Sequence, residues 1–200
     1  MRFATLVSGT GTNLQALLDQ QATGKLSPAE IVLCISNRPG VAALERARQA
    51  GVEAVVVDHK QFADREGFEQ ALIEKLRRRE VEAVILAGFM RILTPTFLGA
   101  FPQRVINTHP SILPAFPGMH GAQQALDYGV KVAGCTIHLV EAGVDTGPII
   151  FQAPVRVMDE DDASSLQQRI QVEEHRLLPE AARLMAAGRL VVEGRRVRIL

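Results

Sequence analysis

Short apolar segments alternate with amphipathic segments through the first half of the chain. The apolar runs are continuous rather than alternating with polar residues, which is typical of strands covered on both faces of a parallel sheet. Residues 3–7, for example, are followed by Leu14, Leu17 and Leu18 at helical spacing. The further apolar runs are 31–35, 52–57 and 83–87. This alternation predicts βαβ units and an α/β fold with a doubly wound, mostly parallel sheet.

The second half of the chain departs from this alternation. A fifth apolar strand at 105–106 runs directly into Asn107-Thr108-His109-Pro110. A stretch rich in Pro and Gly follows over 114–121, and two further apolar segments cover 132–140 and 148–157. The polar residues after the fifth strand therefore begin a long irregular region.

Helical spacing of apolar residues predicts a long C-terminal helix over about 163–187. We expect a kink at Pro179, because proline removes a backbone donor from the helix. The tail, 190–200, favours a hairpin that turns at Glu193-Gly194. Since no repeat or linker divides the chain, we expect one compact domain over residues 1–200.

The charge balance narrows the class of partner. Among 200 residues, 22 Lys and Arg face 22 Asp and Glu, so the net charge is zero. This argues against nucleic-acid and membrane partners, because no excess of cations is present to neutralise phosphates. Cys34 and Cys135 lie in apolar runs, which indicates buried thiols and a cytoplasmic protein. The sequence leaves monomer and homodimer equally open.

A glycine loop, Ser8-Gly9-Thr10-Gly11-Thr12-Asn13, separates the first strand from a helix that begins near Leu14. Glycines allow a sharp turn, and the helix N-terminus then presents unpaired N–H groups and the positive end of its dipole. Such a loop can bind phosphate. The simpler alternative is a tight turn in which Thr12 or Asn13 caps the helix.

The absence of two nucleotide-binding motifs narrows the class of phosphate ligand. A dinucleotide loop would need a third glycine at Leu14 and an acidic residue after the second strand, which instead ends in Ser36-Asn37-Arg38. The Gly-Lys-Ser/Thr sequence of an ATP-binding loop does not occur. A single phosphomonoester therefore fits better than NAD or ATP.

Asn107 and His109 are candidate catalytic residues. Active sites of open parallel sheets lie at the carboxyl ends of the strands, where both side chains are expected to project. An amide and an imidazole there could polarise a carbonyl and transfer a proton. The alternative is a histidine that only binds a neighbouring loop.

Asp145 lies in a loop constrained by two glycines and a proline, Gly143-Val144-Asp145-Thr146-Gly147-Pro148. A turn aspartate often bonds to its own backbone, which remains an alternative here. As a functional residue, Asp145 would lie next to His109 and stabilise the protonated imidazole. The five histidines form no HxH or HExxH pair, so we expect no metal site.

Glu174 falls within the apolar stripe of the long helix, which Ile170, Leu177, Ala181 and Leu184 mark. An inward carboxylate requires a partner, either a cation or ligand hydroxyls. We favour a ligand role, with a buried ion pair as the alternative.

Four motifs in order resemble the phosphoribosylglycinamide formyltransferase family, from Met1 to the end of the long helix. They are Ser8-Gly9-Thr10-Gly11-Thr12-Asn13-Leu14-Gln15, Ala87-Gly88-Phe89-Met90-Arg91-Ile92-Leu93, Asn107-Thr108-His109-Pro110-Ser111 and Asp145-Thr146-Gly147-Pro148. Each motif alone is moderately specific, but four in register are highly specific. The resemblance implies a Rossmann-like formyltransferase fold.

The resemblance also implies roles for individual residues. The implied binding residues for glycinamide ribonucleotide are Gly11, Thr12 and Asn13 for the phosphate and Glu174 for the ribose. The implied site for 10-formyltetrahydrofolate, a co-substrate, comprises Arg65, Met90, Arg91, Ile92, Leu93 and Asn107, with the segment 90–93 reading the pterin largely through backbone groups. The implied catalytic trio is Asn107, His109 and Asp145.

The implied reaction transfers a formyl group to the substrate amine without a metal or a covalent enzyme intermediate. A formyltetrahydrofolate hydrolase would share the fold and trio, but it would not need the phosphate loop, and such relatives carry a preceding regulatory domain. A methionyl-tRNA formyltransferase is disfavoured because no basic excess or C-terminal RNA-binding domain is present. A non-catalytic binding module would bind ligand without turnover.

Overall fold

The computed structural model describes residues 1–200, in which nine strands form one sheet flanked by six helices. The strands are β1 (Arg2–Val7), β2 (Glu30–Ser36), β3 (Glu53–Val56), β4 (Ala83–Leu86), β5 (Val105–His109), β6 (Val132–Leu139), β7 (Ile149–Arg156), β8 (Leu190–Glu193) and β9 (Arg196–Ile199). The helices are α1 (Thr12–Ala22), α2 (Ala42–Gln49), α3 (Arg65–Arg78), α4 (Pro95–Ala100), α5 (Gly121–Tyr128) and α6 (Ala163–Ala186).

The sheet has the strand order β3-β2-β1-β4-β5-β6-β7-β9-β8. Strands β1 to β5 pair in parallel, whereas β6 pairs antiparallel with both β5 and β7. The predicted α/β fold with a mostly parallel sheet is confirmed. The strand order reverses between β1 and β4, and the crevice at such a point is where open α/β sheets bind ligands.

Apolar cores on both faces of the sheet explain the continuous apolar runs. In β1, Phe3 and Val7 pack into a core with α1, α2 and α6, while Ala4 and Leu6 pack into a second core with α3 and α4. All four side chains are therefore buried although successive residues point to opposite faces.

The C-terminal region matches its predicted elements closely. Helix α6 runs over Ala163–Ala186 and continues through Pro179, which is buried in the core. Strands β8 and β9 form the predicted antiparallel hairpin around Gly194. No helix is both long and apolar enough to cross a bilayer.

Candidate active site

The register between β5 and β6 brings three polar side chains to one face of the sheet. Asn107 and His109 lie two residues apart within β5 itself, not after it as the sequence predicts, so both point to the same face. Asn107 pairs across the strands with His138. The Nδ2 atom of Asn107 lies 3.2 Å from Nε2 of His138.

Asp145 completes this cluster from the loop after β6. Its Oδ2 lies 3.3 Å from Nδ1 of His109 and accepts a 2.8 Å hydrogen bond from the backbone N–H of Gly118. Its Oδ1 lies 3.7 Å from Nε2 of His138. The side chain thus faces residues of other segments rather than its own turn, and the structure brings the predicted trio together.

The loop around Asp145 reaches the sheet because Gly147 packs against it. A Cβ at Gly147 would collide with the carbonyl oxygen of Leu139, so no other residue fits without movement. Asp145 itself has a φ of 53°, a left-handed conformation that aspartate tolerates better than most residues. The sequence Asp145-Thr146-Gly147-Pro148 therefore allows the backbone conformation that this loop requires.

The environment of Asp145 favours its charged form. Burial alone raises the pKa of this carboxyl, but the neighbouring His138 ring, the Gly118 N–H and the charge of His109 together lower the pKa below its usual value. A carboxylate held in this state beside an imidazole stabilises positive charge on that ring.

Both ring nitrogens of the buried His109 face oxygen acceptors. Nδ1 faces Asp145, and Nε2 lies 2.8 Å from the backbone carbonyl oxygen of Phe116. Only the doubly protonated imidazole can donate to both oxygens at once. The arrangement therefore suits an imidazolium whose Nε2–H points at an oxygen.

His138 is a site residue that our sequence analysis did not identify. It is buried, and its Nδ1 lies 2.8 Å from the carbonyl oxygen of Leu139. The Nε2 atom of this ring faces both the amide of Asn107 and Oδ1 of Asp145. The available signal was a polar pair, Thr136 and His138, spaced two apart in an otherwise apolar strand.

A cleft of about 480 Å³ opens beside the trio. The predicted segment 90–93 lines it together with Asn107, His109 and Asp145. No residue of this segment forms a backbone–backbone hydrogen bond. Apart from the N–H of Met90, which donates to Oγ of Ser8, its N–H and C=O groups are available to a ligand. The guanidinium of Arg91 lies over the ring of Phe68, 5.4 Å from its centroid, and its Nε has no protein partner.

The predicted cap of α1 is wrong, because neither Thr12 nor Asn13 caps the helix. Gly11 occupies the N-cap position with a φ of 75° and no side-chain cap, and the helix begins at Thr12. A Cβ at Gly11 would lie 2.6 Å from Cβ of Ala43 on α2. The loop therefore needs glycine for both its conformation and its packing.

Glu174 is buried as predicted, but its partners are neutral. Asn13 Nδ2 donates to Oε2 at 3.2 Å and Thr108 Oγ1 donates to Oε1 at 3.0 Å, so the alternative of an ion pair is wrong. Burial raises the pKa of Glu174. Thr108 lies between Asn107 and His109 in the chain, so Glu174 links the glycine loop to strand β5.

Five predicted binding residues do not line the cleft: Gly11, Thr12, Asn13, Arg65 and Glu174. Arg65 is exposed at the start of α3 and does not line the cleft, so its role in folate binding stays a prediction. Thr12 lines a separate hollow with Gln15 and Arg46, whose Nε donates to the carbonyl oxygen of Thr10.

The thiols and possible metal ligands add no catalytic group. Burial raises the pKa of Cys34 to about 11 and that of Cys135 to about 12, so both stay protonated and unsuited to act as nucleophiles. No cluster of three or more His, Cys, Asp or Glu side chains is arranged to hold a metal ion.

Comparison with known sequences gives a consistent result. The sequence model of the formyl transferase family matches residues 1–182. A phosphoribosylglycinamide formyltransferase of Mycobacterium tuberculosis is 46% identical over 194 residues, which cover 97% of this chain and 89% of that protein. The trifunctional purine biosynthetic protein adenosine-3 of Drosophila melanogaster is 46% identical over 192 residues, or 96% of this chain. This chain spans only 14% of the length of that trifunctional protein.

Solved structures show the same likeness in three dimensions. Glycinamide ribonucleotide transformylase 1 from Symbiobacterium toebii superposes with a TM-score of 0.98 at 53% identity, covering 100% of this chain and 94% of that one. Phosphoribosylglycinamide formyltransferase from Bacillus halodurans gives a TM-score of 0.89 at 41% identity, over 92% of this chain and 95% of the other.

Proposed function

The chain belongs to the formyl transferase family, and from this membership we propose that it transfers a formyl group from 10-formyltetrahydrofolate to the primary amine of glycinamide ribonucleotide. One observation carries the proposal: Asn107, His109 and Asp145 meet at the wall of a cleft whose volume suits a small-molecule substrate. The relatives named phosphoribosylglycinamide formyltransferase and glycinamide ribonucleotide transformylase support glycinamide ribonucleotide as the acceptor.

The trio accounts for stabilisation of the transition state. The substrate amine attacks the formyl carbon, a C–N bond forms, and the bond from that carbon to N10 of the folate breaks after a tetrahedral oxyanion has formed. The Nε2–H of His109 and the amide of Asn107 stabilise this oxyanion, and Asp145 keeps the imidazole charged. The amine loses one proton and N10 gains one as the bond to it breaks. Water carries this proton, or His109 gives its own proton to N10 and takes up the proton of the amine.

The Phe116 carbonyl oxygen lies 2.8 Å from Nε2 of His109, which is the distance that a bound oxyanion would take. We propose that the formyl oxygen takes this position when the donor binds, and that the Phe116 carbonyl then moves away from the imidazole. Gly118 and its hydrogen bond to Asp145 stay in place.

The two substrates approach the trio from opposite sides. The formyl folate occupies the cleft, where the free backbone groups of 90–93 bind the pterin. The ribonucleotide binds with its phosphate at the N-terminus of α1, where Gly11, Thr12 and Asn13 present N–H groups. Asn13 Oδ1 is buried without a partner, which supports a ligand at this loop. Glu174 contacts the ribose hydroxyls.

The proposal also covers the setting of the reaction. We place the activity in one catalytic domain over residues 1–200, since all nine strands belong to one sheet. The free thiols of Cys34 and Cys135 suit the reducing cytoplasm. Neither substrate requires a nucleic acid or a membrane, and the proposal fits a monomer and a homodimer alike.

A spectrophotometric assay tests the function directly. The protein is incubated with a 10-formyl folate, and deformylation is followed with and without glycinamide ribonucleotide. We expect turnover only with the ribonucleotide, and a loss of roughly 10²–10⁴-fold in kcat for His109→Ala. Gln123→Ala is the control, because Gln123 is exposed, does not line the cleft and bonds only to Asp127 of its own helix.

The outcomes separate the competing functions. Turnover that ignores the ribonucleotide would indicate a hydrolase, and ligand binding without turnover would indicate a binding module. Near-normal activity of His109→Ala, with an unchanged melting temperature, would disprove the role of the trio.

A further inference from the structure

The segment Met90–Leu93 is held at both ends by buried polar side chains that no substrate contact explains. At its start, the N–H of Met90 donates to Oγ of Ser8 at 2.9 Å. Directly after its end, the N–H of Thr94 donates to Oε1 of Glu69 at 2.8 Å, and the Thr94 hydroxyl donates to Oε2. Ser8 and Glu69 belong to different parts of the fold, because Ser8 directly follows β1 and Glu69 lies in the first half of α3.

Apolar packing alone does not hold this segment in place. Met90 and Ile92 are 61% and 53% exposed, and only Leu93 of the four residues is buried in the core. The segment has no regular secondary structure and no backbone–backbone hydrogen bonds. Its backbone path therefore depends on what holds its two ends.

The carboxylate of Glu69 is costly for stability alone. It is 1% exposed and takes part in no salt bridge, although burial of an unpaired carboxylate is unfavourable. Both of its oxygens accept hydrogen bonds from Thr94, which locks that residue in a single orientation. Such an arrangement is typical of side chains that preorganise a binding site.

A further hydrogen bond connects Ser8 to Asn37, which follows the neighbouring strand β2. The Ser8 hydroxyl accepts from Met90 and donates to Oδ1 of Asn37 at 2.6 Å, and Asn37 is itself buried at the end of β2. The hydroxyl thus has a fixed orientation, with its lone pair directed at Met90. This connection lies at the carboxyl ends of β1, β2 and β4, where the strand order reverses.

We propose that Ser8 and Glu69 are positioning residues for the formyl donor: they fix the backbone of Met90–Leu93 so that its free N–H and C=O groups match the pterin ring. The inference rests on the proposed function, in which this segment binds the folate. Recognition through backbone groups depends on where the backbone lies, so these two residues set the affinity without touching the ligand.

Direct binding and kinetics together test the proposal. Isothermal titration calorimetry measures the Kd of a folate analogue without a transferable formyl group, for the wild type, Ser8→Ala and Glu69→Ala. We expect each substitution to raise this Kd and the KM for the formyl folate roughly five- to tenfold, which is the effect of about one lost hydrogen bond. The KM for the ribonucleotide should change less than twofold.

Two further variants separate positioning from a general structural role. Ser36 is a fully buried serine at the end of the adjacent strand β2, but its hydroxyl bonds only within its own turn, to Arg38. Ser36→Ala should therefore lower the melting temperature without changing the Kd for the folate. Glu69→Gln should recover part of the affinity lost in Glu69→Ala, because the amide can accept from the Thr94 N–H and donate to its hydroxyl.

Each result is decisive. Unchanged Kd values in Ser8→Ala and Glu69→Ala, or an equal rise in Ser36→Ala, would overturn the inference while leaving formyl transfer by the wild type intact. A wild type that binds the folate analogue but shows no ribonucleotide-dependent turnover would overturn the proposed function alone. A wild type that does not bind the analogue would overturn both.

Discussion

The carboxylate of Asp145 lies 3.3 Å from Nδ1 of His109, although the two residues come from a loop and a strand far apart in the chain. The carboxylate is anchored independently by the N–H of Gly118 at 2.8 Å. Because this anchor keeps Asp145 in place, the imidazole faces an anion whether or not a substrate is bound. The pair is therefore preorganised for a charged His109.

Asp145→Asn should lower kcat by roughly 10²–10⁴-fold with little change in the KM for either substrate. The variant keeps the shape of the side chain but removes the charge that stabilises the imidazolium. Steady-state kinetics with each substrate varied in turn measure kcat and both KM values. An unchanged kcat would show that Asp145 does not act through His109.

The lowered pKa of Asp145 has a separate consequence for stability. A carboxyl whose pKa is lower in the folded chain than in the unfolded chain stabilises the fold above its ordinary pKa, and this contribution is lost as the pH falls through the folded pKa. In Asp145→Asn this contribution is absent. Thermal unfolding should therefore show less acid sensitivity in the variant than in the wild type.

His138→Phe should lower kcat by about tenfold or more, because the Asn107 amide loses the ring nitrogen that orients it. If His138 acts through Asn107, the two substitutions will not be additive. The double variant His138→Phe/Asn107→Ala should then be no slower than Asn107→Ala alone. Fully additive losses would instead indicate that His138 contacts the substrate independently.

Much of the fold could be predicted from the sequence because apolar periodicity reports burial directly. The runs in β1, β2 and β4 are mainly apolar since both faces of these strands are covered. Helices α4 and α5 were not predicted, because they have only 6 and 8 residues and too few turns to show a 3.6-residue period. The length of a helix thus decided whether it could be recognised from the sequence.

The candidate site was predictable only where a residue lies in a recognisable motif. Asn107, His109 and Asp145 stand at a strand end or in a glycine-bounded loop, so their positions suggested function. His138 entered the site through the antiparallel register of β5 and β6, which pairs it with Asn107. Register depends on contacts distant in sequence, and no local pattern specifies it. The Phe116 carbonyl was equally hidden, because backbone atoms leave no signature in a sequence.

Glu174→Gln should make the folded chain more stable at pH 8 than the wild type, and the difference should vanish toward pH 4. Burial raises the pKa of Glu174, so the folded chain keeps the proton at pH values where the unfolded chain has released it. The stability conferred by Glu174 is therefore greatest in acid and declines as the pH rises through the raised pKa. Urea unfolding at several pH values measures this difference.

The same substitution should weaken binding of the ribonucleotide. The carboxylate that we assign to the ribose hydroxyls becomes an amide, and loss of a charged hydrogen bond costs about 1.5–3 kcal/mol, or roughly 10- to 100-fold in affinity. The KM for the formyl folate should stay within twofold of the wild type. Equal losses for both substrates would contradict the placement of Glu174 on the ribonucleotide side.

Gly11→Ala should destabilise the chain by about 2 kcal/mol or more, whereas Gly9→Ala in the same loop should be nearly neutral for stability. Gly11 has a φ of 75°, and an added Cβ would lie 2.6 Å from Cβ and 2.8 Å from Cα of Ala43. Gly9 lacks both constraints, because its φ is not positive and nothing lies within 4 Å of an added Cβ. Urea unfolding of both variants tests the contrast. Since the collision would push α2 away from the N-terminus of α1, we expect Gly11→Ala also to raise the KM for the ribonucleotide, and an unchanged KM would mean that the phosphate does not bind at this loop.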